Sequence, residues 1–191
     1  MDLCLVGSDM CIRDRESTEN ITVIVGHHKN ILKTHIANID SNIKTADQDD
    51  QLGTAHAVKM ASHLIKDDEK ILILYGDVPL ISSKTIEGLM NSEHECTLLT
   101  MQLNDPTGYG RVITNGQNLA LKIIEQKDAS DDELKIEEVF TGILLIDGSL
   151  LRPDLEEIKN QNSANEYYLT DLVEILSCLL YTSPSPRDIG P

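Results

Sequence analysis

The chain has 191 residues, of which 40% are hydrophobic and 25% charged, so its composition supports a packed core and excludes a disordered polymer. Its formal net charge of −16 argues against non-specific binding to nucleic acids, which requires a basic face. No apolar run is long enough for a membrane helix, and the four cysteines form no CxxC pair, so we expect a protein of the reducing cytoplasm without disulfides.

Strand and helix patterns alternate along the first half of the chain. Residues 21–25 are a β-branched run that ends at Gly26, which predicts a buried parallel strand. Thr54 is placed to cap a helix whose apolar residues recur at helical spacing. Further strands are predicted at residues 71–74, 97–103, 111–114, 119–124 and 139–146, and further helices at residues 29–36, from a cap at Ser83, at 150–158 and at 170–176. This alternation predicts an α/β fold with a mostly parallel sheet and helices on both faces.

The two ends of the chain do not read as protein sequence. Back-translation of residues 178–188, read on the complementary strand in another frame, gives LVGSEMCIRD, and residues 5–14 read LVGSDMCIRD. Ends related in this way resemble read-through of a sequencing-library adapter; the alternative is a genuine Cys-containing leader and a Pro-rich tail. We therefore interpret residues 1–15 and 177–191 as an artefact and residues 16–176 as a partial domain truncated at both ends.

Two places beside predicted elements are candidates for binding chemistry, because ligands of α/β sheets collect at the carboxyl ends of strands. Gln48, Gly53 and Thr54 lead into a helix, where a glycine lets a ligand approach the backbone, although an ordinary capped helix is the simpler explanation of these residues alone. Asp77 directly follows a buried strand, which suits either a Mg²⁺ ligand or a capping residue. Cys96 begins a strand without a nearby partner and is expected to be a buried thiol.

Several short motifs follow one another along the chain: QLGTAHA, ILYGDVPLI, DPTGYGR, IIEQKDA, TGIL and NEYYLTD. The series resembles the uridylyltransferase domain of the bifunctional bacterial enzyme UDP-N-acetylglucosamine pyrophosphorylase/glucosamine-1-phosphate N-acetyltransferase, over residues 21–176. DPTGYGR and LYGDVPLI are its most specific pieces. The resemblance implies a Rossmann-like nucleotidyltransferase fold.

The reaction that the resemblance implies is the transfer of UMP from UTP to N-acetylglucosamine 1-phosphate, which gives pyrophosphate and UDP-N-acetylglucosamine, a cell-wall precursor. Because the sugar phosphate is itself the nucleophile, the reaction needs alignment of two anions and neutralisation of their charge rather than a strong base. The resemblance also implies residue roles: Gln48, Gly53 and Thr54 contact uracil, Tyr75 and Gly76 line the pocket, Gly110 and Glu125 contact N-acetylglucosamine, and Asp77 is the catalytic Mg²⁺ ligand.

The chain departs from the family pattern in one motif and at its ends. Phe140 stands where the family has an asparagine that contacts the sugar, so the sugar specificity is open. The family's Gly-rich phosphate loop, a nearby lysine and a second Mg²⁺ ligand fall outside residues 16–176, and we expect this fragment alone to be inactive. The full-length protein is expected to form a homotrimer through a downstream domain. Two alternatives stay open: a nucleotidyltransferase for another sugar 1-phosphate, and a UDP-sugar-binding module without catalysis.

Overall fold

The computed structural model of the chain describes residues 2–6, 20–76, 78, 81–116, 118–176 and 178–182, with the backbone alone described at 2–6 and 178–182. Its strands are β1 (Asp2–Val6), β2 (Asn20–Val25), β3 (Lys44–Asp47), β4 (Lys70–Tyr75), β5 (Cys96–Gln102), β6 (Arg111–Thr114), β7 (Leu119–Ile124), β8 (Glu138–Asp147) and β9 (Cys178–Thr182). Its helices are α1 (Lys29–Ile39), α2 (Thr54–Met60), α3 (Ser83–Met90), α4 (Gly148–Glu157) and α5 (Leu172–Ile175), and short 3₁₀ turns cover Ser62–Leu64, Glu133–Lys135 and Leu169–Asp171.

The described strands form one sheet in the order β3-β2-β1-β4-β8-β5-β9-β7-β6. The first four strands in this order are mutually parallel, as the alternation of strands and helices predicts. Strand β8 lies antiparallel between β4 and β5, with Ile73 opposite Leu144 and Leu98 also opposite Leu144. Beyond it, β5 pairs parallel with β9, and β7 pairs antiparallel with both β9 and β6. The α/β class is confirmed, and the sheet is parallel in one half and mixed in the other.

Each face of the sheet carries its own hydrophobic cluster, which explains why the central strands are continuously apolar. Along β8, Leu144 and Ile146 belong to one cluster, whereas Ile143 and Leu145 belong to the other. The first cluster also includes residues of α2, α4 and α5, and the second includes Ile36 of α1 and Leu89 of α3. Helices therefore cover both faces, as expected from the sequence.

Several boundaries differ from the expectations. Helix α1 runs to Ile39, three residues further than predicted, and strand β3 is not predicted at all. Ser82 rather than Ser83 caps α3, because its hydroxyl accepts a hydrogen bond from the Thr85 N–H at 3.1 Å. The predicted helix at 170–176 is a 3₁₀ turn followed by the short α5. Strands β1 and β9 lie within the two end segments that the sequence analysis sets aside.

Cys96 lies at the start of β5 and is 5% exposed, which confirms that it belongs to the core. It is disulfide-bonded, so the expectations of a free thiol and of a chain without disulfides are both wrong. None of the described helices is long and apolar enough to cross a membrane.

Candidate active site

Gln48 follows strand β3 and is nearly buried, at 8% exposure. Its backbone N–H donates to the Val25 carbonyl at 2.9 Å, which extends the pairing of β2 and β3 by one step. Its side-chain Nε2 donates to the Gly53 carbonyl at 3.0 Å and lies 3.1 Å from His56 Nδ1. An amide nitrogen cannot accept, so His56 Nδ1 is the acceptor and its ring proton is on Nε2. Both hydrogen bonds use Nε2, so the amide oxygen of Gln48 takes no part in this network.

Gly53 occupies a position that only glycine can take. Its φ is 115°, and a Cβ there would lie 2.5 Å from the Tyr167 carbonyl oxygen and 2.7 Å from the Tyr167 nitrogen. The close approach comes from two backbone hydrogen bonds, Tyr167 N–H to the Leu52 carbonyl at 2.7 Å and Ala55 N–H to the Tyr167 carbonyl at 2.9 Å. We call residues 48–54 the loop end of the site.

Thr54 does not cap α2, which corrects the expectation from the sequence. Gly53 takes the N-cap position, and no side chain caps the helix. The Thr54 hydroxyl instead accepts a hydrogen bond from the Leu169 N–H at 2.9 Å. The loop end is therefore joined to residues 167–170, which we call the linking segment.

The linking segment also reaches the second group of predicted residues. Thr170 is buried, and its hydroxyl donates to Glu125 Oε1 at 3.1 Å. Gly110 lies against Glu125, since a Cβ on Gly110 would be 3.6 Å from each carboxylate oxygen and 2.9 Å from the Ile123 side chain. We call Gly110, Glu125, Thr170 and the neighbouring Asp171 the acidic end of the site.

An aromatic wall closes the arrangement on the side of β4. The Phe140 N–H donates to the Gly110 carbonyl at 3.0 Å, and its ring meets Tyr75 edge to face with centroids 6.4 Å apart. Tyr75 in turn lies over Gly142, whose φ is 83° and whose Cβ, if present, would be 2.5 Å from the Tyr75 ring. Phe140 is 5% exposed, so an apolar ring occupies the place that the family pattern gives to an amide.

A continuous path of contacts thus connects most of the predicted substrate-binding residues. It runs from Gln48 and Gly53 through the linking segment to Glu125 and Gly110, and on through Phe140 to Tyr75. Gly76 directly follows Tyr75 and is buried. Asp77 lies outside the described residues, and within the described part of the chain no three His, Cys, Asp or Glu side chains are grouped as metal ligands would be.

The acidic end is crowded with carboxylates. Burial raises the pKa of Glu125, the Thr170 hydrogen bond opposes this shift, and Asp128 and Glu166 add to it. Burial, followed by repulsion from Glu174, Glu125 and Asp128, raises the pKa of Asp171 to about 6. This end therefore suits uncharged hydroxyl donors better than anions.

Three further residues of the site, Tyr167, Thr170 and Asp171, could not be assigned a role from the sequence alone. The only signal for them was the NEYYLTD motif, which contributed to the resemblance but not to the list of site residues. Tyr167 contacts Leu52 and Thr170 contacts Glu125, and both partners lie far away along the chain, where no local pattern reveals them.

Comparison with known proteins supports the resemblance. The chain is 40% identical over 169 residues to the bifunctional protein GlmU of Clostridioides difficile, covering 86% of this chain and 36% of that protein. It is 43% identical over 158 residues to the bifunctional protein GlmU of Fervidobacterium nodosum, covering 80% of this chain and 34% of that protein. The chain thus spans about a third of the length of these curated relatives.

A solved structure shares the fold. It is a UDP-glucose pyrophosphorylase complexed with UDP-glucose, with a TM-score of 0.66 and 16% sequence identity, and the match covers 86% of this chain and 72% of that chain. The nucleotidyl transferase family model matches residues 8–175, well over half of the sequence. The chain belongs to the nucleotidyl transferase family.

Proposed function

We propose that the chain is part of an enzyme that transfers UMP from UTP to N-acetylglucosamine 1-phosphate, giving UDP-N-acetylglucosamine and pyrophosphate. Membership of the nucleotidyl transferase family and the similarity to two GlmU proteins support the reaction type. The observation that carries the proposal is the linking segment, which joins the loop end to the acidic end through Thr54 and Thr170. The nucleotide at one end and the sugar phosphate at the other can then be aligned on one connected set of residues. Alignment of the two substrates is the main requirement for this transfer of UMP.

The loop end fits a uracil base. With Nε2 of Gln48 committed to Gly53 and His56, the amide oxygen of Gln48 can serve as an acceptor. The loop end also carries the backbone N–H of Gly53, which can serve as a donor. Uracil offers the complementary pair, an N–H donor next to a carbonyl acceptor. Cytosine has no proton at the same ring nitrogen, so it would leave the Gln48 oxygen opposite another acceptor.

The acidic end and the aromatic wall fit a sugar. Glu125 can accept hydrogen bonds from hydroxyl groups, and the Thr170 hydrogen bond holds one of its oxygens in place. Tyr75 is partly exposed and can supply apolar surface, and the buried Phe140 ring packs against it. Phe140 cannot replace the amide contact of the family, so binding of N-acetylglucosamine would rest on Glu125, Gly110 and apolar packing.

Mg²⁺ is part of the proposal through Asp77, whose position after β4 is the place that the resemblance gives to the metal ligand. When bound, the ion would neutralise charge on the phosphates. The homotrimer and the cytoplasmic location stay predictions that follow from the same resemblance.

The test uses a chimera in which residues 1–15 and 177–191 are replaced by the matching N-terminal and C-terminal segments of the Clostridioides difficile relative. We expect pyrophosphate release that requires UTP, N-acetylglucosamine 1-phosphate and Mg²⁺, while the chain itself releases none. In the chimera, Gln48→Leu should lower kcat/KM for UTP about tenfold or more. It should also reduce the ratio of kcat/KM for UTP to kcat/KM for CTP. Faster pyrophosphate release with another sugar 1-phosphate than with N-acetylglucosamine 1-phosphate would favour the alternative in which that sugar phosphate is the substrate. Binding of UDP-N-acetylglucosamine without any release would favour a binding module.

A further inference from the structure

A cavity of about 480 Å³ lies between α2, the end of α4 and the residues just after α4. This volume is in the range of sites that enclose small organic molecules. Tyr167 of the linking segment and His56 of α2 both line it, with their ring centroids 6.4 Å apart. The cavity therefore borders the loop end of the site, yet none of the residues assigned to uracil, sugar or Mg²⁺ belongs to its lining.

Much of the lining is apolar. Leu52, Met60, Leu155 and Ile158 all contribute, and Leu155 and Ile158 are buried members of the core. A ligand that fills this space needs an apolar body, because bringing polar groups against these side chains without partners is unfavourable.

The polar part of the lining is positive. Lys59 is paired with Glu156 across the cavity, so these two charges cancel. Lys159 makes no ion pair with any of the described residues, which leaves one positive charge on the lining of a chain whose net charge is −16. The His56 proton is on Nε2, because Nδ1 accepts from Gln48, and Nε2 has no hydrogen-bond partner in the described part of the chain. One cation and one neutral donor thus line the same space.

We propose that this cavity binds a small organic monoanion with an apolar body, such as an aromatic carboxylate or sulfonate. The anionic group interacts with Lys159 and accepts from His56 Nε2, and the apolar body packs against Leu155 and Ile158. Because His56 also holds Gln48, the ligand would stiffen the loop end without entering it. The binding itself is independent of the proposed function, and only the consequence of this stiffening for nucleotide binding rests on that function.

The test titrates the whole chain with the dye anilinonaphthalene sulfonate, which has an aromatic body and one negative charge, and follows its fluorescence. We expect saturable binding of one dye per chain and a change in the NMR signals of the His56 imidazole. Substituting Lys159→Glu should raise the dye Kd about tenfold. The matched control is Lys84→Glu, which makes the same charge change at an exposed position of α3. It should alter the dye Kd less than about twofold.

Other outcomes overturn the proposal. These are non-saturable binding, equal effects of the two lysine variants, or an unchanged His56 signal at saturation. Displacement of the dye by UMP, one for one, would show that the cavity is part of the nucleotide site rather than a separate one. If Lys159→Glu does not fold, Lys159→Gln and Lys84→Gln give the same comparison with a smaller charge change. If the chain binds the dye as expected while the chimera described above releases no pyrophosphate and binds no UTP, the proposed function is contradicted and this inference stands.

Discussion

The loop end and the acidic end of the site are built by different means. The loop end depends on backbone hydrogen bonds and on a glycine packed against the Tyr167 backbone. The acidic end depends on carboxylates, of which Glu125 and Asp171 have raised pKa values because they are partly buried and lie near other carboxylates. The first end should therefore be the more sensitive to changes in backbone shape, and the second should be the more sensitive to the removal of a carboxylate or of its hydrogen-bond donor.

The largest expected effect is on the loop end. Gly53→Ala places a Cβ 2.5 Å from the Tyr167 carbonyl at a φ of 115°, so the backbone must move. We expect a loss of about 3 kcal/mol in the free energy of unfolding, measured by urea denaturation. Gly116→Ala is the control, because Gly116 also has a positive φ of 79° but has open space around it; it should cost only about 1 kcal/mol. Equal losses in the two variants would show that the contact with Tyr167 is unimportant.

At the acidic end, Thr170→Val removes the hydroxyl that donates to Glu125 and keeps the shape of the side chain. A hydrogen bond to a partly buried carboxylate is worth about 2 kcal/mol, and its loss should raise the pKa of Glu125 further. Carbon-detected NMR titration of the Glu125 carboxyl group would measure that shift. Thr170→Ser should restore the original value; if it does not, the hydroxyl is not what holds the carboxylate.

A smaller effect is expected when the linking segment is released from the loop end. Thr54→Val leaves the Leu169 N–H without its acceptor, which should cost about 1 kcal/mol. Hydrogen exchange of the Leu169 amide should speed up several-fold, with no dependence on pH beyond that of exchange itself. Thr54→Ser keeps the acceptor and should leave the amide protected. Unchanged exchange in Thr54→Val would mean that the two ends are not joined here.

An effect of similar size is expected in the pH dependence of the acidic end. Because folding raises the pKa of Asp171 from 3.8 to about 6, the folded protein binds this proton more tightly than the unfolded chain does. Binding of this proton therefore stabilises the folded protein. The stabilisation is complete below about pH 4 and is lost as the pH rises through about 6.

Asp171→Asn removes the charge and should flatten this part of the pH profile. Because the carboxyl is only half buried, we expect a gain on the order of 1 kcal/mol at neutral pH. Urea denaturation across this pH range measures it, with Asp68→Asn, an exposed site outside the acidic end, as the control. A steeper profile in Asp171→Asn would contradict the repulsion described here.

Much of the fold could be predicted because the relevant signals are local. The β-branched run of β2 and the apolar run of β4 predict buried strands wherever they pair. The direction in which a strand pairs with its neighbour could not be predicted in the same way. Strand β8 is apolar on both faces, and this pattern suits a parallel neighbour as well as an antiparallel one. The antiparallel pairing of β8 with β4 is therefore not visible in the sequence.

The site shows the same division. The resemblance rests on short motifs, and it indicates several site residues that the structure connects through contacts. These are Gln48, Gly53, Tyr75, Gly110 and Glu125. The sequence predicts that Thr54 caps a helix, because a threonine in front of a helical pattern usually does so. This prediction is wrong, since the Thr54 hydroxyl pairs with the Leu169 N–H, far away along the chain.

The sequence by itself determined the α/β class, the buried strands and the family, since hydrophobic spacing and contiguous motifs are properties of short stretches. Only the tertiary structure decided that Leu169 meets Thr54 across 115 positions, that Thr170 holds Glu125, and that Asp171 shifts its pKa. Those features depend on the path of the chain and on the burial that results from packing. Neither is encoded in the residues near any one of the groups involved.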